Sequence, residues 1–199
     1  MRNRVTPFGE IVALAGRGTF MGNRGVLHDG AGQIVRAWQV RRWITCVLEF
    51  RGRHRLLMQP NRYTELFFLD EAASMSAGHR PCAECRNAEY KRFLALWQGC
   101  YGAANADSMD ATLHAQRLDG KAKRTYRAPL ASLPDGTYVL FEGAPWLLWE
   151  GAMFEWTDGG YAGRRSRPAR ADAEVLTPAA SVAVLGAGYR PALHPTAHS

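Results

Sequence analysis

Cys82-Ala83-Glu84-Cys85 is the stretch of this 199-residue chain whose chemistry is easiest to specify. Two thiols separated by two residues at the opening of a helix can both face one tetrahedral cation. The free amides and dipole of the helix end favour the thiolate form that a metal needs. A thioredoxin-type redox pair would need a βαβ pattern with a strand running straight into the motif, and none precedes Cys82. Zinc is therefore the expected cofactor. Cys46 is the natural third ligand, although its neighbours Ile44, Leu48 and Phe50 would equally suit a core cysteine. His28, on an early turn, is favoured for the fourth position, with His79, His54 and Cys100 left open. Cys100 falls three residues after Trp97 on the apolar side of a helix, which suits a core position better.

Other groups are less specific. His114 with Arg117 could serve acid–base or phosphodiester chemistry, but their spacing does not require it, and no carboxylate cluster for Mg²⁺ is evident. Trp146, Trp149 and Trp156 could form a stacking platform, yet aromatics at strand spacing usually belong to a core.

Charge narrows the partner class. Residues 1–100 hold 15 Lys/Arg against 8 Asp/Glu, while residues 101–199 hold 10 of each, so the whole net charge of +7 lies in the cysteine-bearing half. Fourteen of those 15 cations are arginine, whose planar fork matches phosphate. Arg41, Arg42, Arg51, Arg53 and Arg55 flank the segment around Cys46, and Arg80 and Arg86 bracket the Cys-x-x-Cys. If one zinc gathers these segments, the arginines converge on a common rim suited to nucleic acid, with DNA the expected partner.

The elements that must position these groups follow from patterning. Glu10–Ala15 and Ile34–Val40 read as strands, and Trp43–Phe50 as the clearest strand of this half, forming a hairpin with Leu56–Met58. Asp70 is a suitable N-cap for a short helix over 71–77 that Gly78 ends. Tyr90, Phe93, Leu94 and Trp97 make one apolar stripe on a helix running from about Pro81 to Gln98. Gly102–Asp107 reads as a linker. Short strands are expected at 137–141, 146–149, 153–156, 173–176 and 181–185, with an exposed loop over 157–171.

The segment Phe67-Phe68-Leu69-Asp70-Glu71-Ala72-Ala73-Ser74-Met75-Ser76-Ala77-Gly78-His79-Arg80-Pro81-Cys82-Ala83-Glu84-Cys85 resembles the closing half of the Ada-type zinc-binding domain. That family has a double phenylalanine, a short Ala/Glu-rich helix and a Gly-aromatic-Arg-Pro-Cys-x-x-Cys run. Trp43-Ile44-Thr45-Cys46 is similar to its strand leading into the first cysteine, and Asn61 stands about where its asparagine precedes the double phenylalanine. The resemblance covers about 40 to 55 residues and is specific over the last 20 or so. It implies a treble-clef zinc fold associated with DNA repair and with nucleases. Cys82 and Cys85 match the last two ligands, and Cys46 the first. The family's second cysteine, four residues after the first, is Phe50 here, so its self-methylating repair chemistry does not carry over.

The expected architecture is α+β. A basic zinc-binding domain over 1–102, with a treble-clef-like hairpin-plus-helix module, precedes a β-rich domain over 108–199 built as a small sheet or barrel. No apolar run approaches the roughly 18 residues of a membrane span. Pro7 and Glu10 interrupt the N-terminus where an export signal would be apolar. A cytoplasmic nucleic-acid-binding protein of DNA repair or processing is the leading expectation. The alternatives are a nuclease, glycosylase or other hydrolase acting on nucleic acid, and a zinc-stabilised protein-interaction module.

Overall fold

A computed structural model describes residues 3–52 and 56–198. Arg53, His54 and Arg55 lie outside the described residues. The first half contains β1 (Arg4–Val5), β2 (Ile11–Val12), β3 (Phe20–Asn23), β4 (Ile44–Cys46), β5 (Leu66–Phe68), α1 (Glu71–Ser76), β6 (Arg80–Pro81) and α2 (Asn87–Tyr101). Then follow α3 (Ala106–Arg117), β7 (Leu118–Asp119), β8 (Ala122–Lys123), β9 (Tyr126–Pro129) and β10 (Tyr138–Phe141). The chain closes with β11 (Ala144–Trp149), β12 (Ala152–Thr157), β13 (Gly160–Ser166), β14 (Asp172–Val175) and α4 (Ala179–Gly186). The α+β class is as expected.

One sheet has the order β2-β1-β5-β3-β4-β6 and a second the order β13-β12-β11-β10-β14-β9; β7 and β8 form a small hairpin. Three departures in the first sheet matter for the site. The strand expected over Trp43–Phe50 is only Ile44–Cys46, and 56–58 form no strand, so the expected hairpin is absent among the described residues. Instead β4 pairs antiparallel with β3 and parallel with β6. Gly22 makes the β3–β4 approach possible, since a Cβ there would lie 2.2 Å from the carbonyl oxygen of Ile44. Segment 34–40 contributes a single bridge, His28 to Ile34, rather than a strand.

In the second sheet alternation decides the faces. Tyr138, Leu147, Trp149 and Phe154 point to one core, while Val139, Trp146, Leu148 and Met153 point to another. Trp146 and Trp149 are therefore core residues rather than a stacking platform. The expected loop over 157–171 contains β13, paired antiparallel with β12. The expected strand over 181–185 is the helix α4, which begins after Pro178. A short apolar run has no periodicity that separates strand from helix.

The boundary expected at 102–107 does not separate two cores. Leu69, Ala72 and Ala73 pack with Tyr138, Leu147 and Phe154, and Met75, Phe93 and Trp97 pack with Met109, Leu113 and Val184. Hydrogen bonds make the same connection. Asp70 caps α1 through Ala73 and accepts from the Tyr161 hydroxyl at 2.6 Å and the His194 amide at 3.1 Å. Glu71 accepts from the Tyr189 hydroxyl at 2.6 Å and the Ala192 amide at 2.9 Å. The expected linker over 102–107 is a short connection from α2 that runs into α3 at Ala106. Asn105 caps it reciprocally with Ser108, and Met109 and Leu113 give it an i, i+4 apolar contact.

Candidate functional site

Cys46 ends β4, and Cys82 and Cys85 lie in the turn between β6 and α2. The amide of Cys82 donates to the carbonyl of Thr45 at 2.9 Å, which extends the parallel β4/β6 ladder up to the cysteines. The three sulfurs all lie within 4.8 Å of one another and could hold a metal ion. Three thiolates on a tetrahedral zinc at about 2.3 Å would stand about 3.8 Å apart, so only small adjustments are needed. The amide of Glu84 already donates to Cys82 Sγ at 3.4 Å. Hydrogen bonds from Cys46 and Cys85 draw the Cys82 thiol well below its ordinary range, with the amides of Cys85 and Glu84 assisting against burial. Cys46 is driven the opposite way, first by its hydrogen bonds to Cys82 and Cys85 and then by burial. Without a cation, three crowded sulfurs can hold one negative charge readily but not three.

Among the described residues, no histidine or carboxylate joins this set. His28 is engaged elsewhere: its ring nitrogens meet Thr64 Oγ1 at 2.6 Å and the Gln59 carbonyl at 3.2 Å. Cys100 is exposed on α2, with its sulfur toward the Ala183 carbonyl at 3.7 Å.

The arginines divide into two groups. Arg41, Arg42 and Arg51 are exposed. Arg80 and Arg86 do not form a rim. Arg80 is 2% exposed and makes a bidentate pair with Asp110 of α3, while Arg86 is 4% exposed and pairs with Glu71 at 2.8 Å. Arg80 in β6 and Arg86 just ahead of α2 are both buried, where a guanidinium is costly without a carboxylate beside it. Arg80 thereby joins the two halves, and Arg86 supports the Glu71 carboxylate that accepts from Tyr189 of the second half.

A second constellation lies at the other end of the same strand pair. Trp43, just before β4, is held between two guanidinium groups, with Arg24 3.9 Å and Arg117 3.8 Å from the ring centroid. Both arginines are 1% exposed. Arg24 donates to the Gly9 carbonyl and to His79 Nε2; Arg117 donates to the carbonyls of Gly78 and Arg41. Gly78, at φ +90°, lets Arg117 lie across it, since a Cβ there would meet Arg117 Cδ at 2.5 Å. Lys123 of β8 donates to the Ser76 carbonyl. Burial, with the charges of Arg24, Arg117 and Lys123, pushes His79 well below the usual imidazole range, so its ring is neutral and its proton sits on Nδ1.

Arg24, Trp43, Arg117 and Lys123 line a cleft of about 750 Å³. Phe8, Ile11, Ile34 and Val35 give it an apolar wall, and Glu10 is its one lining carboxylate among the described residues. Arg36 and Lys121 also line it and are exposed. Beside it, the segment 35–42 is largely open to solvent and carries Trp38, 36% exposed, against His114 at 4.5 Å.

The cleft residues Arg24, Trp43 and Lys123, and the His79 that Arg24 donates to, were not legible as a group, because the chain separates them by up to 99 positions and no short motif links them. His114 and Arg117 do meet, at 2.9 Å, but Arg117 is committed to backbone carbonyls. Comparison with protein-family models, curated proteins and solved structures gives no match. No helix among the described residues is long and apolar enough to cross a membrane.

Proposed function

We propose that this protein is a zinc-stabilised nucleic-acid-binding protein that acts on DNA in repair or processing. The zinc reading is supported by the donor set: three cysteine sulfurs within 4.8 Å, two of them in a Cys-x-x-Cys turn before a helix. Soft thiolates in that arrangement select zinc over harder cations. The placement of Cys46 on a sheet strand and of Cys82 and Cys85 before α2 also suits the treble-clef-like, Ada-type reading.

The observation that carries the nucleic-acid reading is the exposed Trp38 in a segment bearing Arg36, Arg41 and Arg42. A solvent-facing indole interleaved with free arginines combines a stacking surface with phosphate contacts. Arg51, exposed beyond Cys46, extends the same charge. The test is affinity for random-sequence DNA as a function of salt, with and without Arg41→Ala plus Arg42→Ala. Each lost phosphate contact should flatten the log–log slope by about 0.9. Affinity that ignores both salt and the double substitution would contradict DNA binding and favour a protein-interaction module.

A further inference from the structure

The two guanidinium groups flanking Trp43 have no carboxylate partner among the described residues. Asp110, whose charge reaches Arg117, is held bidentately by Arg80. Nη2 of Arg24 and Nε of Arg117 are buried with no hydrogen-bond partner among the described residues. Backbone carbonyls and the indole ring satisfy some of the donors, but they bring no negative charge. Burying two like charges side by side is unfavourable unless an anion compensates them. Lys123 adds a third cation, and all three line the same cleft.

We propose that this cleft binds a phosphate monoester carried on a flat, partly apolar body, namely a nucleotide. The anionic group would sit over Arg24, Arg117 and Lys123, where the buried positive potential is concentrated, and the exposed Arg36 and Lys121 would close around it. The apolar wall of Phe8, Ile11, Ile34 and Val35 suits the base. A cleft of about 750 Å³ is large enough for one nucleotide. Trp43 does not supply the stacking face, since its buried ring is already engaged by both arginines. It holds the two guanidiniums in place at the cleft, 3.9 and 3.8 Å from its ring centroid. The choice of a nucleotide over another phosphate ester rests on the nucleic-acid reading above. The same chemistry could arrive as a free nucleoside monophosphate or as the phosphorylated end of a strand.

Titration calorimetry on the full-length, metal-loaded protein at low salt and pH 6.5 separates these cases. The probes are adenosine 5′-monophosphate, adenosine, and one short single-stranded oligonucleotide with either a 5′-phosphate or a 5′-hydroxyl. Adenosine monophosphate should bind saturably and at least tenfold more tightly than adenosine, and Lys123→Met should weaken it at least tenfold. A 5′-phosphate that tightens oligonucleotide binding tenfold would identify the strand end as the ligand. If it adds nothing while adenosine monophosphate still binds, the free nucleotide is the ligand. Equal affinity for adenosine and its monophosphate, or a folded Lys123→Met protein that binds as the parent does, would overturn the proposal. The adenosine comparison needs no variant and decides the matter if Lys123→Met does not fold. Loss of binding to the 5′-hydroxyl oligonucleotide alone would count against the Trp38 surface and leave the cleft standing.

Discussion

The amide of Cys82 meets the carbonyl of Thr45 at 2.9 Å, and two residues earlier the amide of Arg80 meets the carbonyl of Trp43 at 3.2 Å. One parallel strand pair therefore carries the thiol cluster at one end and the Trp43–His79 contact, with ring centroids 5.2 Å apart, at the other. A metal that fixes Cys46 against Cys82 also fixes the register on which Arg24 and Arg117 converge. Removing the metal with a chelator should then weaken adenosine monophosphate binding severalfold, measured by calorimetry while the protein remains folded. Unchanged affinity in folded apo-protein would show that the two ends are independent.

Arg80 and Arg42 lie close in the fold but should respond differently to truncation. Arg80→Ala leaves Asp110 as an unpaired buried carboxylate and should destabilise the protein by about 3–5 kcal/mol. Arg42→Ala, at an exposed position, should shift stability by no more than about 0.5 kcal/mol. Its effect should fall instead on the salt dependence of DNA binding. Urea denaturation of both variants checks the contrast.

Lys123 gives the cleft a pH dependence. Burial and the charges of Arg24 and Arg117 push its ammonium down to about 7 in the free protein. A bound phosphate dianion favours the charged lysine, so binding takes up a proton above that pH. Affinity for adenosine monophosphate should fall as pH rises through about 7. It should also fall at the acid end, as the phosphate takes up its own proton near pH 6. Calorimetric titrations from about pH 4 to about pH 9, roughly two units beyond each value, should show a maximum between them. In Lys123→Met the alkaline fall should disappear.

Residues 1–102 should not form an independent domain. Leu69, Ala72, Met75 and Trp97 have partners in the second half, and Glu71 holds Tyr189 and Ala192. A fragment ending at 102 would expose those faces and leave Arg80 without Asp110. It should lack a cooperative thermal transition by circular dichroism even with zinc present. A sharp transition would restore the two-domain division.

Sequence patterning was most informative where a local rule dominates. Asp70 as a cap, Gly78 as a stop and the Tyr90–Trp97 stripe lie where local patterning places them, because capping and amphipathicity act within a few residues. The Cys-x-x-Cys pair was legible for the same reason. The route by which Cys46 reaches it was not, since parallel pairing of β4 with β6 depends on residues 36 positions apart in the ladder. α3 has polar residues on most of its surface, and its signals were the Asn105–Ser108 cap and the Met109–Leu113 spacing. Arg80 and Arg86 read as surface cations because charge alone does not disclose burial; only the positions of Asp110 and Glu71 decide it.

Metal content per chain tests the account at its base. Protein purified without added metal should contain about one equivalent of zinc, the stoichiometry of a single thiolate site, and Cys82→Ser should retain almost none and melt at lower temperature. A metal-free parent chain that melts cooperatively, at a temperature unaffected by added zinc or chelator, would contradict it.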